Sequence, residues 1–165
     1  MFPVPPAPAG GGFPLKSPGR IGTKSAQGRS EDIDVSTAID KSILIVDDDE
    51  TIRRTFSLIL GKKYKILAAG TPAEALAHVR KSRVDLAIVD YRLPKTNGME
   101  LVGALRKAGY RGEAILISAF ADEITIEDIH RFAISQFYAK PLDLGVLNRS
   151  IDWLLQPREP FGPVA

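Results

Sequence analysis

The stretch Val84–Gly98, VDLAIVDYRLPKTNG, constrains the fold more than any other part of the chain. It is a mostly apolar run that stops abruptly at an aspartate, Asp90, and gives way to a Pro-containing loop and an Asn-Gly turn. A short run rich in Val and Ile describes a strand buried on both faces, as in a parallel sheet covered by helices. Asp90 is then expected at the carboxyl end of that strand, the edge at which open α/β sheets place their ligands.

The flanking sequence repeats the same alternation of strand and helix signals. Ser42–Val46 (SILIV) is a first buried run, and Asp49–Lys63 carries Ile52, Phe56, Ile59 and Leu60 at helical spacing with a stop signal at Gly61. Tyr64–Ala69 reads as a second strand. Thr71-Pro72-Ala73-Glu74 then opens a helix: Thr71 can cap, Pro72 suits the first position, and Glu74 completes a capping box. Ala75, Leu76 and Val79 form its apolar stripe. Val84–Val89 is the third strand, and Met99–Lys107 the third helix, with Leu101, Val102 and Leu105 facing inward. Ala114–Ile117 is the fourth strand, followed by a helix over about Ile124–Ala133 and a short strand at Phe137–Ala139. Asp143 caps a last helix that shows Leu147, Ile151 and Leu154 on one face. Five strands alternating with five helices imply an α/β fold with a parallel sheet, right-handed crossovers and helices on both faces.

Composition bounds the function. The 165 residues, 44% of them hydrophobic, suffice for one domain with a real core, and a net charge of +2 with both signs scattered argues against direct nucleic-acid binding. With no cysteine there is no disulfide framework, no thiolate metal site and no cysteine nucleophile. No run approaches the roughly 18 apolar residues of a membrane span, so a cytoplasmic setting is the simplest expectation. Residues 1–40 are rich in Pro and Gly and read as a disordered tail, 41–156 as the folded domain, and 157–165 as a second disordered tail.

The strand ends carry the chemistry. The first strand runs into Asp47-Asp48-Asp49, the third into Asp90, the fourth into Ser118-Ala119 and the fifth into Lys140-Pro141, and a parallel sheet brings all of them to one edge. Carboxylates from two adjacent strands make a hard oxygen site suited to Mg²⁺. Unpaired carboxylates at that density raise one another's pKa, and a divalent cation together with the Lys140 ammonium relieves the repulsion. Such a set is built to bind a divalent metal and a phosphoryl group, with one carboxylate as nucleophile.

In this order and spacing the residues resemble the response regulator receiver domain of two-component signalling, a single-domain regulator by this reading. The matching stretches are ILIVDDDE, LAIVDYRLPKTNG, ILISA and FYAKPLD, and the likeness spans about Ser42–Leu155. The resemblance implies a flavodoxin-like, doubly wound sheet of order 2-1-3-4-5. It implies that Asp90 accepts a phosphoryl group from a phosphohistidine on a sensor histidine kinase or histidine phosphotransfer protein. It further implies that Asp47, Asp48, Asp90 and the backbone carbonyl of Arg92 hold Mg²⁺ (or Mn²⁺), and that Lys140 pairs with the aspartyl phosphate. Ser118 would hydrogen-bond to the phosphate, and Phe137 would be the aromatic that reads the switch. The output would be a changed face of the fourth helix, fifth strand and fifth helix, read by an unidentified downstream protein or by a phosphorylation-dependent homodimer. The Lys140–Pro141 bond is expected to be cis.

Two departures stand out. Ala133-Ile134 replaces the small Gly-Ala pair usual before the fifth strand, and Arg92 and Phe120 occupy the two positions that tune phosphate lifetime in the family. A long cation and a bulky ring there are expected to hinder the attacking water and slow self-dephosphorylation. Beyond self-phosphorylation and that hydrolysis, no enzyme activity is expected. Plainer readings apply elsewhere: Asp49 and Glu50 as helix-start anions, Asn97-Gly98 as a turn, and His78 and His130 as surface or half-buried side chains. Two rival functions exist. One is a receiver-like interaction module that is never phosphorylated. The other is a haloacid-dehalogenase-type phosphatase, suggested by Asp47-x-Asp49-x-Thr51, which leaves Asp90 without a role.

Overall fold

The structure is a computed structural model, and it describes residues 40–157. The expected tails, 1–40 and 157–165, lie outside the described residues except at their innermost positions. Five parallel strands, β1 (Ser42–Val46), β2 (Lys65–Ala69), β3 (Leu86–Asp90), β4 (Glu113–Ser118) and β5 (Gln136–Ala139), form one sheet in the order β2-β1-β3-β4-β5. They alternate with α1 (Glu50–Leu60), α2 (Pro72–Lys81), α3 (Gly98–Lys107), α4 (Ile126–Arg131) and α5 (Leu144–Leu155). This is the flavodoxin-like, doubly wound arrangement, whose chain reversal between β1 and β3 opens a crevice at the carboxyl edge.

The period-two geometry of the strands sorts one apolar run onto two faces. Leu44, Val46, Ala87, Val89 and Leu116 pack with Leu101, Val102 and Leu105 of α3 on one side. Ile43, Ile45, Leu86, Ile88, Ile115 and Ile117 pack with Phe56 and Leu60 of α1 and Leu147 and Ile151 of α5 on the other. That explains why the central strands lack polar alternation: both faces are covered.

The helix starts obey the capping chemistry. Asp49, Thr71, Asn97, Thr125 and Asp143 all accept a backbone N–H of the first turn that follows. Glu74 reaches one residue further back than the expected capping box, to the N–H of Gly70 at 2.7 Å. The expected fourth helix, Ile124–Ala133, is present in shorter form as the six residues of α4, and a 3₁₀ turn at Ala121–Glu123 precedes it. Thr125 sets its start, because with Asp128 it forms a full capping box that begins the helix at Ile126.

Two helix ends are built identically from different residues. After α3, Gly109 and Tyr110 donate to the carbonyls of Arg106 and Leu105; after α4, Ala133 and Ile134 donate to those of His130 and Ile129. Both are Schellman closures, which need a left-handed residue in the middle. Gly109 supplies it at φ 100°, but at the second site an alanine, Ala133, is held at φ 49°. The Ala133-Ile134 departure is thus a strained cap before β5.

Candidate functional site

The carboxyl ends of β1, β3, β4 and β5 meet as the sequence requires. Asp47 follows β1 directly and is 6% exposed, Asp90 ends β3 at 9%, and Ser118 ends β4 at 1%. Asp48 is exposed at the rim. One carboxylate oxygen from each of Asp47, Asp48 and Asp90 lies within 4.8 Å of the others. Three converging hard oxygens fit a small divalent cation, and among the described residues this is the one such group.

Lys140 reaches the same point from the end of β5. Its Nζ is 2.9 Å from Asp90 Oδ1 and 3.9 Å from Asp47 Oδ2. The bond to Pro141 is cis. Burial pushes the Asp47 carboxyl above its ordinary pKa, with Asp90 and Asp48 adding repulsion, while the Asp49 N–H and Lys140 pull the other way. The net upward direction follows chiefly from burial, with the neighbouring carboxylates adding to it. A bound cation would reverse it.

Several contacts fix the acidic loop. The N–H of Tyr91 donates to Ile117 at 2.7 Å, and that of Gly98 closes the loop on Tyr91 at 2.7 Å. Between them a two-residue ribbon pairs Arg92–Leu93 with Thr96–Asn97. A Cβ on Gly98 would overlap the backbone carbonyl of Asp90 and come within 2.9 Å of Leu116 Cδ1, so the helix start presses directly on the backbone of Asp90. Asn97 caps α3 through Glu100, as a turn residue would, and takes no part in the acidic cluster.

Three expected participants are placed but not yet engaged with Asp90. The Ser118 hydroxyl accepts the Phe120 N–H at 2.8 Å. Phe137 is half-buried against the α3 side of the core. Arg92 lies on the ribbon beside the acidic site, its guanidinium 3.9 Å from the centroid of the Phe120 ring and 2.8 Å from Glu123.

Sequence reasoning missed two contributors. Arg53 donates to the backbone carbonyl of Asp47 at 2.7 Å and packs its guanidinium against Gly70, tying α1 to the ends of β1 and β2. Glu123 holds Arg92 from a turn 31 residues away. The Arg92–Glu123 pair joins segments that only the sheet brings together, and the Arg53 bond, although only six residues from Asp47, goes to a backbone carbonyl that no residue type announces.

Beside the acidic rim an apolar pocket of about 280 Å³ opens among Ile52, Phe56, Ile117 and Leu142. A wider cleft of about 460 Å³ lies at the opposite edge of the sheet, where Asp85 is already engaged by Lys41 and Arg83. Among the described residues it holds no group of three acidic side chains like that of Asp47, Asp48 and Asp90. Neither expected histidine reading changes: His78 Nε2 lies 3.2 Å from the Ala68 carbonyl, and His130 is exposed. No described helix is long and apolar enough to cross a membrane.

Comparison with known proteins agrees with this fold. The model of the response regulator receiver domain matches residues 43–152. The regulatory protein AtoC of Escherichia coli is 30% identical over 121 residues, covering 73% of this chain and 26% of AtoC. The sensor kinase/phosphatase CqsS of Vibrio cholerae is 26% identical over 120 residues, 70% of this chain and 18% of that protein. The chain thus spans only about a fifth to a quarter of these relatives. Sporulation initiation phosphotransferase F of Bacillus subtilis, by contrast, is matched over 92% of its length and 68% of this chain, at 25% identity. Among solved structures, the response regulator TrrA of Thermotoga maritima, in complex with Mg²⁺ and BeF, superposes with a TM-score of 0.61 at 29% identity, covering 70% of this chain and 99% of that one. A receiver domain protein of Methanospirillum hungatei gives 0.62 at 28% identity, over 68% and 91%.

Proposed function

As the chain belongs to the response regulator receiver family of two-component signalling, we propose that Asp90 is its phosphoacceptor, charged from a phosphohistidine of a sensor histidine kinase or a histidine phosphotransfer protein. The observation that carries this reading is the Lys140 ammonium 2.9 Å from the Asp90 carboxylate, within a cluster of three aspartates.

Asp90 presents a carboxylate oxygen to the phosphorus. The new O–P bond forms as the P–N bond breaks, the imidazole nitrogen keeps the electron pair, and an acyl phosphate remains on Asp90. Such transfer needs in-line placement and cancellation of charge on the phosphoryl oxygens far more than proton chemistry. Lys140 supplies one counter-charge from the protein. A divalent cation held by Asp47, Asp48, Asp90 and the Arg92 carbonyl would supply the other when bound. The oxygen-only, cysteine-free donor set fits Mg²⁺ or Mn²⁺.

The acyl phosphate brings about 1.5 to 2 negative charges to a nearly buried position. Ser118 turns from the Phe120 N–H to donate its hydroxyl to the phosphoryl oxygens, which frees space beneath it. Phe137, three residues before Lys140, moves into that space, and the face of α4, β5 and α5 changes for a protein partner or a second copy of the chain. The reading fails at this step if Phe137→Ala leaves partner binding by the phosphorylated protein unchanged. The Arg92–Phe120 stack narrows the approach of water, so hydrolysis of the phosphate is slow, and Phe120→Ala shortens its lifetime. Apart from these two self-directed steps the domain turns nothing over.

Incubation with a small acyl-phosphate donor and Mg²⁺, followed by intact mass, tests the proposal. The wild type gains one phosphoryl mass, while Asp90→Asn and a chelated sample gain none. Turnover of a phosphate ester that needs Asp47 but not Asp90 would instead reveal the haloacid-dehalogenase-type chemistry. No phosphoryl uptake and no turnover would leave an interaction module.

A further inference from the structure

Arg92 and Glu123 form a bridge between the loop that follows Asp90 and the turn that follows Ser118, both at the carboxyl edge of the sheet. Arg92 stands two residues after Asp90 on the ribbon; Phe120 stands two residues after Ser118, and Glu123 closes the 3₁₀ turn that follows. The guanidinium is stacked on the Phe120 ring at 3.9 Å and paired to Glu123 Oε1 at 2.8 Å. Phe120 is 44% exposed, so Arg92 covers a ring that the core does not. The turn itself is thinly held, by Glu123 and Ile124 N–H bonds of 3.2 Å to Phe120 and Ala121. The Arg92 side chain is thus the link that joins the Asp90 loop to the β4–α4 turn.

The bridge is poised for exchange. Both partners are about half exposed, at 57% and 46%, and an exposed pair of this kind is weak. A phosphoryl group on Asp90 offers the same guanidinium more charge and a geometry that suits its planar fork. Stacking on Phe120 holds the guanidinium by its face and leaves its N–H edge to exchange partners.

We infer that Arg92 is a second phosphoryl ligand that resting Glu123 holds back: when Asp90 carries the phosphoryl group, Arg92 exchanges Glu123 for it and frees the Ala121–Glu123 turn. Glu123 is then an intramolecular competitor, and the affinity of the site for phosphate-like anions is set partly by a residue that never touches them. The inference rests on Asp90 as phosphoacceptor.

Beryllofluoride, a phosphoryl analogue, tests it in the presence of Mg²⁺, with binding followed by ¹⁹F NMR for the wild type, Glu123→Gln, Arg92→Gln and the double variant. Both single changes are at exposed side chains, and intact mass after a small phosphodonor checks that Asp90 is still competent. Glu123→Gln tightens binding by about three- to fivefold, the scale set by releasing an exposed ion pair. Arg92→Gln weakens it, and in the Arg92→Gln background Glu123→Gln has no effect. A tightening that persists without Arg92 would be bulk electrostatics and overturns the exchange, as does an unchanged or weakened Glu123→Gln protein. A wild type that takes up phosphoryl yet shows no Arg92 dependence sinks the inference alone; a wild type that takes up neither phosphoryl nor beryllofluoride sinks the phosphoacceptor reading with it.

Discussion

Replacing Ala133 by glycine should stabilise the domain, and replacing Gly109 by alanine should destabilise it, although both are the same chemical change in opposite directions. Each residue is the left-handed link of a Schellman closure, at φ 49° and φ 100°. A residue with a Cβ in the left-handed region costs about 1 to 2 kcal/mol. Against this, glycine in place of alanine raises the entropy of the unfolded chain, at a cost of about 0.4 to 1 kcal/mol. Ala133 is exposed and its carbonyl, held by Arg106 Nη2 at 3.1 Å, is retained in the variant, so no contact of consequence is lost. The net gain for Ala133→Gly is about 0.5 to 1 kcal/mol, or roughly 2 to 4 °C in Tm for a domain of this size. At Gly109 a Cβ meets nothing within 4 Å, so the loss of about 1 kcal/mol in Gly109→Ala is purely conformational. Urea unfolding with a common m-value measures both. A destabilised Ala133→Gly, or a neutral Gly109→Ala, would refute the claim that left-handed strain, rather than side-chain contact, governs these two ends.

Other perturbations have equally definite signs. Gly98→Ala drives a Cβ into the Asp90 carbonyl and Leu116; it should cost about 1 to 3 kcal/mol in chemical denaturation and slow phosphoryl uptake, because the backbone of Asp90 must move. Asp152 is accepted into a cluster with Lys63 and Tyr64, its Oδ1 2.7 Å and 2.5 Å from them; burial pushes its pKa up, but these two hydrogen bonds prevail and hold it below its ordinary value of 3.8. A depressed folded pKa adds stability at higher pH that is lost as pH falls through 3.8 and then the folded value. Asp152→Asn should therefore cost about 0.5 kcal/mol at neutral pH, discounted for its exposure, and the gap to wild type should close in acid; a gap that is constant with pH would contradict this. Arg53→Ala removes the tie between α1 and the Asp47 carbonyl, and should weaken Mg²⁺ binding measured by calorimetry about threefold or more.

How much of this was legible beforehand depends on the range of each interaction. The apolar runs of β1, β3 and β4 are unbroken because both faces are buried, and that pattern is local. So are the caps at Asp49, Thr71 and Asp143, each satisfied within three residues. Asp47, Asp90, Ser118 and Lys140 could be brought to one edge from order alone, since every parallel strand ends on the same side. The fourth helix was legible from the apolar spacing of Ile124, Ile129 and Phe132, but that spacing places its start two residues early, because the Thr125–Asp128 capping box begins it at Ile126. The left-handed Ala133 was invisible for the opposite reason: nothing in an alanine announces φ 49°. Glu123 acts across the sheet edge on a partner that sequence spacing does not pair, and Arg53 acts on a backbone carbonyl, which carries no side-chain signal.

The identity of the phosphorylated atom tests the central claim most directly. After charging with a phosphohistidine donor and Mg²⁺, borohydride reduction converts an aspartyl phosphate to homoserine, and peptide mass spectrometry locates it. Reduction confined to Asp90, and lost when Lys140 is replaced by alanine, is the expected result. Homoserine at Asp47 or Asp48, or a borohydride-resistant phosphate on Ser118, would contradict the assignment of Asp90 as the acceptor.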